Sequence, residues 1–175
     1  METVKFAFYK PQSLWGRLIA RWTGLFSWGT PSYSHVEIGF KIDERFKEWF
    51  AAQGIEVEIG EFIYYSSASR NTNGTTGTRW LTGKALLEHP ERWDVYEVES
   101  LRSIEYMINS CDNELGKPYD WLGIYGFVMI FGLLNYKNKW YCSEVCYWIF
   151  FGVWKKRISP IALFAKIKRA GLIIG

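Results

Sequence analysis

The sequence predicts an α+β domain in which an antiparallel sheet packs against helices, and three observations carry that expectation. Alternation of apolar and polar residues dominates the first hundred positions, helical periodicity dominates the remainder, and Gly, Asn and Pro punctuate the segments between. The order of segments is that of a sheet flanked by helices, an α+β domain. With 175 residues, 49% hydrophobic and 19% aromatic, the chain has material for one sizeable core. The absence of Pro-rich or Ser-rich tracts and of any internal repeat argues for a single domain over residues 1–175.

The elements follow in order. Val4 to Tyr9 places Val4, Phe6 and Phe8 on one face of a strand. Ser13 suits the cap of a helix to about Thr23, with Leu14, Trp15, Leu18, Ile19 and Trp22 at helical spacing. Ser34 to Lys41 alternates again, so that His35, Glu37 and Gly39 share the face opposite Val36, Ile38 and Phe40. A short helix is expected from Asp43 to Gln53, ending at Gly54. Strand patterns recur at Glu56 to Glu58, Phe62 to Ser67, Thr78 to Leu81 and Trp93 to Val98, which reads as an antiparallel meander. Ser100 is expected to cap a helix through Leu115, with Leu101, Ile104, Met107, Ile108, Cys111 and Leu115 inward. Asp120 would cap an apolar helix over Trp121 to Leu134, Cys142 opens a helix to about Phe151, and Pro160 opens a last one to Ala170.

Charge excludes some partners. A net charge of +3, with no dense Lys/Arg block among exposed aromatics, does not suit nucleic acid. Basic residues gather near the C-terminus, at Lys155 to Arg157 and at Lys166, Lys168 and Arg169. They read as a solvated face, with contact to a membrane surface or a virion left open. The apolar stretch from Trp121 to Leu134 has 14 residues, against about 20 needed to span a bilayer, and reads as a core helix. The N-terminus carries no signal-peptide pattern, so synthesis in the cytoplasm is expected. Three cysteines without a secretory leader point to reduced thiols.

Two of the residues form a chemical pair. His35 lies on a strand and Cys142 at the start of a helix, where the dipole favours a thiolate and a neighbouring imidazolium would do the same. Cys142 is the candidate nucleophile and His35 the candidate base. The group that orients the imidazole is open among Ser67, Glu37, Ser66 and Glu61. Cys146 and Cys111 read as core residues and His89 as an exposed loop residue, while Trp28 or Trp80 would line a groove if their segments are loops. The Cys142-x-x-x-Cys146 spacing does not suit zinc, and neither metal nor cofactor is required.

Four segments, Ser34-His35-Val36, Leu115 to Asp120, Tyr141 to Val145, and Ser159-Pro160 followed by Leu163, occur in an order that resembles the circularly permuted papain-like amidases, the YiiX/YaeF group of the NlpC cell-wall hydrolase superfamily. The spelling around His35 is similar to that of bacteriophage-type members. The resemblance implies a permuted papain-like fold, with the histidine strand before the cysteine helix. It also implies a cysteine peptidase or amidase acting on peptidoglycan peptides, delivered in a phage virion or released to the cell wall. In that family the orienting group is often Glu on the strand after the histidine strand, and Ser66 and Ser67 stand near that place here. A lipid-directed acyltransferase of the lecithin-retinol type and a virion component that keeps the fold without strong catalysis are the competing readings.

Overall fold

The computed structural model describes residues 2–12, 32–69, 76–120, 139–154 and 158–174. The expected helix from Ser13, the loop with Trp28, the apolar Trp121 to Leu134 segment and the basic run Lys155 to Arg157 lie outside the described residues.

The described architecture is α+β. Five strands, β1 (Thr3–Tyr9), β2 (His35–Lys41), β3 (Phe62–Ala68), β4 (Gly77–Thr82) and β5 (Trp93–Glu99), form one antiparallel sheet in the order β4-β3-β2-β1-β5. The first four are paired consecutively, and of the expected meander only β3 and β4 lie side by side. The fifth does not extend it past β4 but returns to the far edge beside β1, in the register Phe6 to Tyr96. Alternation announces that a segment is a strand, whereas the choice of neighbour depends on which edge its apolar residues cover.

The helices are α1 (Glu44–Ala52), the one-turn α2 (Gly83–Leu86), α3 (Ile104–Asn113), α4 (Cys142–Phe151) and α5 (Pro160–Arg169), with a 3-10 turn at Pro90–Arg92. Asp43 caps α1 through the Arg45 and Phe46 amides, and Ser159 caps α5 through the Ala162 amide. α4 ends at Gly152, whose φ of 71° is open to glycine at little cost.

Three expectations are corrected. Glu56 to Glu58 is irregular rather than a strand: only Val57 is buried, and Glu58 closes a turn with Glu61 through its amide and its carbonyl. α3 starts after Ser103 and not after Ser100, because the Ser100 hydroxyl is engaged in a local turn with Arg102 while Ser103 accepts from the Tyr106 amide. Leu101 and Leu115 therefore fall outside the helix and are exposed.

One face of the sheet carries the main core. Val4, Phe6 and Phe8 of β1, Val36, Ile38 and Phe40 of β2, Ile63 and Tyr65 of β3 and Val98 of β5 pack against apolar residues of α1, α3, α4 and α5. Trp80 belongs to this core, edge-on to Phe50 and Tyr65, and lines no groove. α4 is apolar nearly all round and buried from Cys142 to Phe150 except Trp148, as expected of a helix lying inside the molecule. The opposite face has a smaller cluster of Ala7, Tyr64 and Leu86.

Candidate active site

The N-terminal end of α4 is tied to the sheet where β2 begins. Ser67 donates its hydroxyl to the Trp140 carbonyl at 2.7 Å, and the Cys146 thiol points at the Val36 and Tyr65 carbonyls at 3.7 and 3.8 Å. Tyr141 and Ser143 both donate to the Ile158 carbonyl, at 2.7 and 2.6 Å, fixing the first turn to the segment before α5. These contacts set Cys142 beside His35, the first residue of β2, although 107 positions separate them in the chain.

The imidazole sits between two groups. Its Nε2 is 3.2 Å from Glu37 Oε1, and Cys142 lies near enough to act on the ring through its charge. Burial by itself pushes the imidazole toward the neutral form. The negative charge of Cys142 and its hydrogen bond, reinforced by Glu37, outweigh that and raise His35 to about 9. The ring is therefore poised as an imidazolium at neutral pH, the state that stabilises a neighbouring thiolate.

Glu37 is 1% exposed, and a buried carboxylate needs compensation. It comes from β4: Arg79 Nη2 donates to Glu37 Oε1 at 2.8 Å and Nη1 lies 3.5 Å from Oε2. Burial pushes Glu37 up, but the guanidinium, together with His35, wins and holds it down at about 2. Glu37, Ser66 and Arg79 form one row on adjacent strands, since Ser66 pairs with Arg79 and Ile38 with Tyr65 one step along. Arg79 escaped the sequence reading; the signal present was a charged residue between the buried Thr78 and Trp80.

The other candidates for orienting the imidazole are engaged elsewhere. Ser67, expected first for that role, faces the other side of the sheet and bonds Trp140, so that expectation is corrected. Ser66 donates to the Val36 carbonyl at 2.7 Å, and Glu61 accepts from the Glu58 amide in a turn. Glu37 makes the contact, because two steps along a strand return the side chain to the same face.

Two features complete the surroundings. The cap residue of α4, Tyr141, makes no side-chain cap bond, and its carbonyl accepts from the Glu144 and Val145 amides. Tyr119, tied by a parallel bridge to Trp140, brings its phenol near enough for Cys142 to hold it protonated, after burial as the larger cause. Cys142 is 3% exposed and the His35 side chain 20%, so the open side of the pair is the imidazole side. Trp93 borders it, with ring centroids 6.2 Å apart.

The remaining candidates take structural places. Cys111 and Cys146 are fully buried, and burial pushes both thiols well up. Glu144 is buried in the first turn of α4. His89, 53% exposed, precedes the 3-10 turn. Among the described residues no group of three or more His, Cys, Asp or Glu side chains is placed to hold a metal ion, and no helix is long and apolar enough to cross a membrane.

No family model, curated protein or solved structure matches this chain.

Proposed function

We propose that this chain is a cysteine hydrolase of permuted papain-like type, cleaving peptide or amide bonds through Cys142 and His35. The observation that carries the reading is the convergence of a helix-start thiol, an imidazole and a carboxylate, in the order Cys142, His35, Glu37. The chain order of the histidine strand and the cysteine helix supports the permuted fold, as does the antiparallel sheet with α4 packed on it. The substrate class, peptidoglycan peptides met by a phage-type enzyme, comes from the sequence resemblance.

In this mechanism the Cys142 thiolate attacks the carbonyl carbon, and the backbone at the start of α4, where no cap side chain competes, stabilises the oxyanion. The C–N bond breaks as the His35 imidazolium gives its proton to the leaving amine, and a thioester remains on sulfur. The neutral imidazole then takes a proton from water, the hydroxide attacks the thioester, and the acid leaves with the thiolate and imidazolium restored. Glu37 holds the ring through Nε2 and balances its charge through both steps.

The test is digestion of defined muropeptides and, in parallel, of phospholipid vesicles. New amine and carboxyl termini by mass spectrometry, lost in Cys142→Ala, support the hydrolase. Acyl transfer from lipid without muropeptide cleavage replaces it by the lipid-directed reading. Neither reaction, with Cys142 no more reactive than an ordinary thiol, points to a non-catalytic virion component.

A further inference from the structure

Arg79 is the residue whose placement the reading above does not use. We infer that Arg79 is a positioning residue for catalysis: acting through Glu37, it keeps the carboxylate ionised and aimed at His35, and so keeps the proton on the imidazole facing Cys142. The inference rests on the hydrolase reading and extends it to a residue on a different strand.

The argument starts from what Glu37 would do alone. At 1% exposure an unpaired carboxyl takes up a proton rather than stay charged. A neutral carboxyl offers His35 no negative charge, and the imidazolium loses one of its two supports. Arg79 prevents this with a positive charge carried on a planar fork. Its Nη2 sits 2.8 Å from Oε1 and its Nη1 3.5 Å from Oε2, so both carboxylate oxygens face the guanidinium. Because Oε1 also meets His35 Nε2, turning the carboxylate away from the ring would break the shorter Arg79 contact.

Among the described residues, the groups facing Glu37 from each packed element are few. They are His35 on β2, Arg79 on β4, Tyr64 on β3 and Cys146 on α4. Tyr64 and Cys146 stay neutral, since burial pushes both up and Glu37 adds to it. Arg79 is thus the cation that decides the state of Glu37 when His35 gives up its proton. Lys5, on the same face of β1, lies over the Phe62 ring instead.

The experiment is site-resolved alkylation of the full chain by iodoacetamide from pH 5 to 10, read at Cys142 by peptide mass spectrometry. It compares wild type with Arg79→Met, Arg79→Lys, Glu37→Gln and the double variant Glu37→Gln/Arg79→Met. In Arg79→Met the rise of the alkylation rate with pH, which follows ionisation of Cys142, is expected to move up by about one pH unit or more, with slower alkylation at pH 7, and Arg79→Lys is expected to restore much of both. If Arg79 acts only through Glu37, adding Arg79→Met to Glu37→Gln changes the profile no further. The double variant also removes both charges of the pair, which guards against loss of the fold through a lone buried one.

An unchanged profile in folded Arg79→Met overturns the inference while leaving the hydrolase reading intact, as does a double variant much slower than Glu37→Gln alone. A wild-type Cys142 that reacts at pH 7 no faster than an ordinary thiol overturns the hydrolase reading itself.

Discussion

His35 and Glu37, two residues apart on β2, face each other with Nε2 3.2 Å from Oε1, so one strand supplies both the base and the carboxylate that orients it. The strand's own period of two makes the contact, and no loop has to close to form it. Replacing Glu37 by Gln keeps the shape and removes the charge. The expected result is a drop in the hydrolysis rate of about tenfold to a hundredfold, within what general acid–base assistance contributes. Its alkaline limb should also move to lower pH, as measured by rate against pH.

The wild-type alkaline limb follows from the imidazole. His35 is raised to about 9, so the imidazolium that serves as acid persists through neutral pH and is lost as pH rises through about 9. The hydrolysis rate, which needs that acid for the leaving amine, should fall there. The stability that His35 contributes has the same sign: it is fully present below the ordinary value near 6.5 and disappears by the time pH passes 9. Cys142→Ala removes the main support of the raised value, and titration of His35 by NMR should then fall well below 9.

Glu37 behaves in the opposite sense. Its carboxyl is held at about 2, below the ordinary 4.5, so its contribution is present above 4.5 and is lost as pH falls toward 2. For a shift of this size the contribution is on the order of 3 kcal/mol. Urea unfolding midpoints should drop steeply between pH 4.5 and 2 in the wild type and much less in Glu37→Gln. Equal slopes in the two proteins would contradict the linkage.

Ser67 separates anchoring from catalysis. Its hydroxyl holds the Trp140 carbonyl, two residues before the nucleophile, and takes no part in the imidazole contact. Ser67→Ala should cost about 1 kcal/mol of stability by losing one hydrogen bond, while leaving the alkaline limb in place. A displaced limb would return Ser67 to the orienting role.

Gly39 is glycine for space. The Tyr64 ring crosses it so closely that an added Cβ would lie 2.5 Å from Tyr64 Cε1. Gly39→Ala should displace that ring, open Glu37 to water and cost roughly 1–3 kcal/mol, as overpacking does. Thermal unfolding and the tyrosine titration, raised in the wild type to about 12, check it.

Much of the local structure was legible because periodicity reports burial on one face. The α4 and α5 limits agree with the expected helices to within a residue or so, and β1 and β2 likewise. Ser100 and Ser103 show where this fails: both are competent caps, and only the turn at Arg102 decides between them. The second face of the sheet was harder still, since a buried Glu37 and its Arg79 look in sequence like ordinary polar strand positions.

What the sequence determined by itself was composition in one dimension: which segments alternate, which turn as helices, and that a histidine strand precedes a cysteine helix. The tertiary structure decided which strand lies beside which, that Glu37 and not Ser67 meets the imidazole, and that Arg79 stands behind it. The reason is physical. Side-chain period is set by neighbours along the chain, whereas the charge state of a buried group depends on partners brought from other strands by the packing of the sheet.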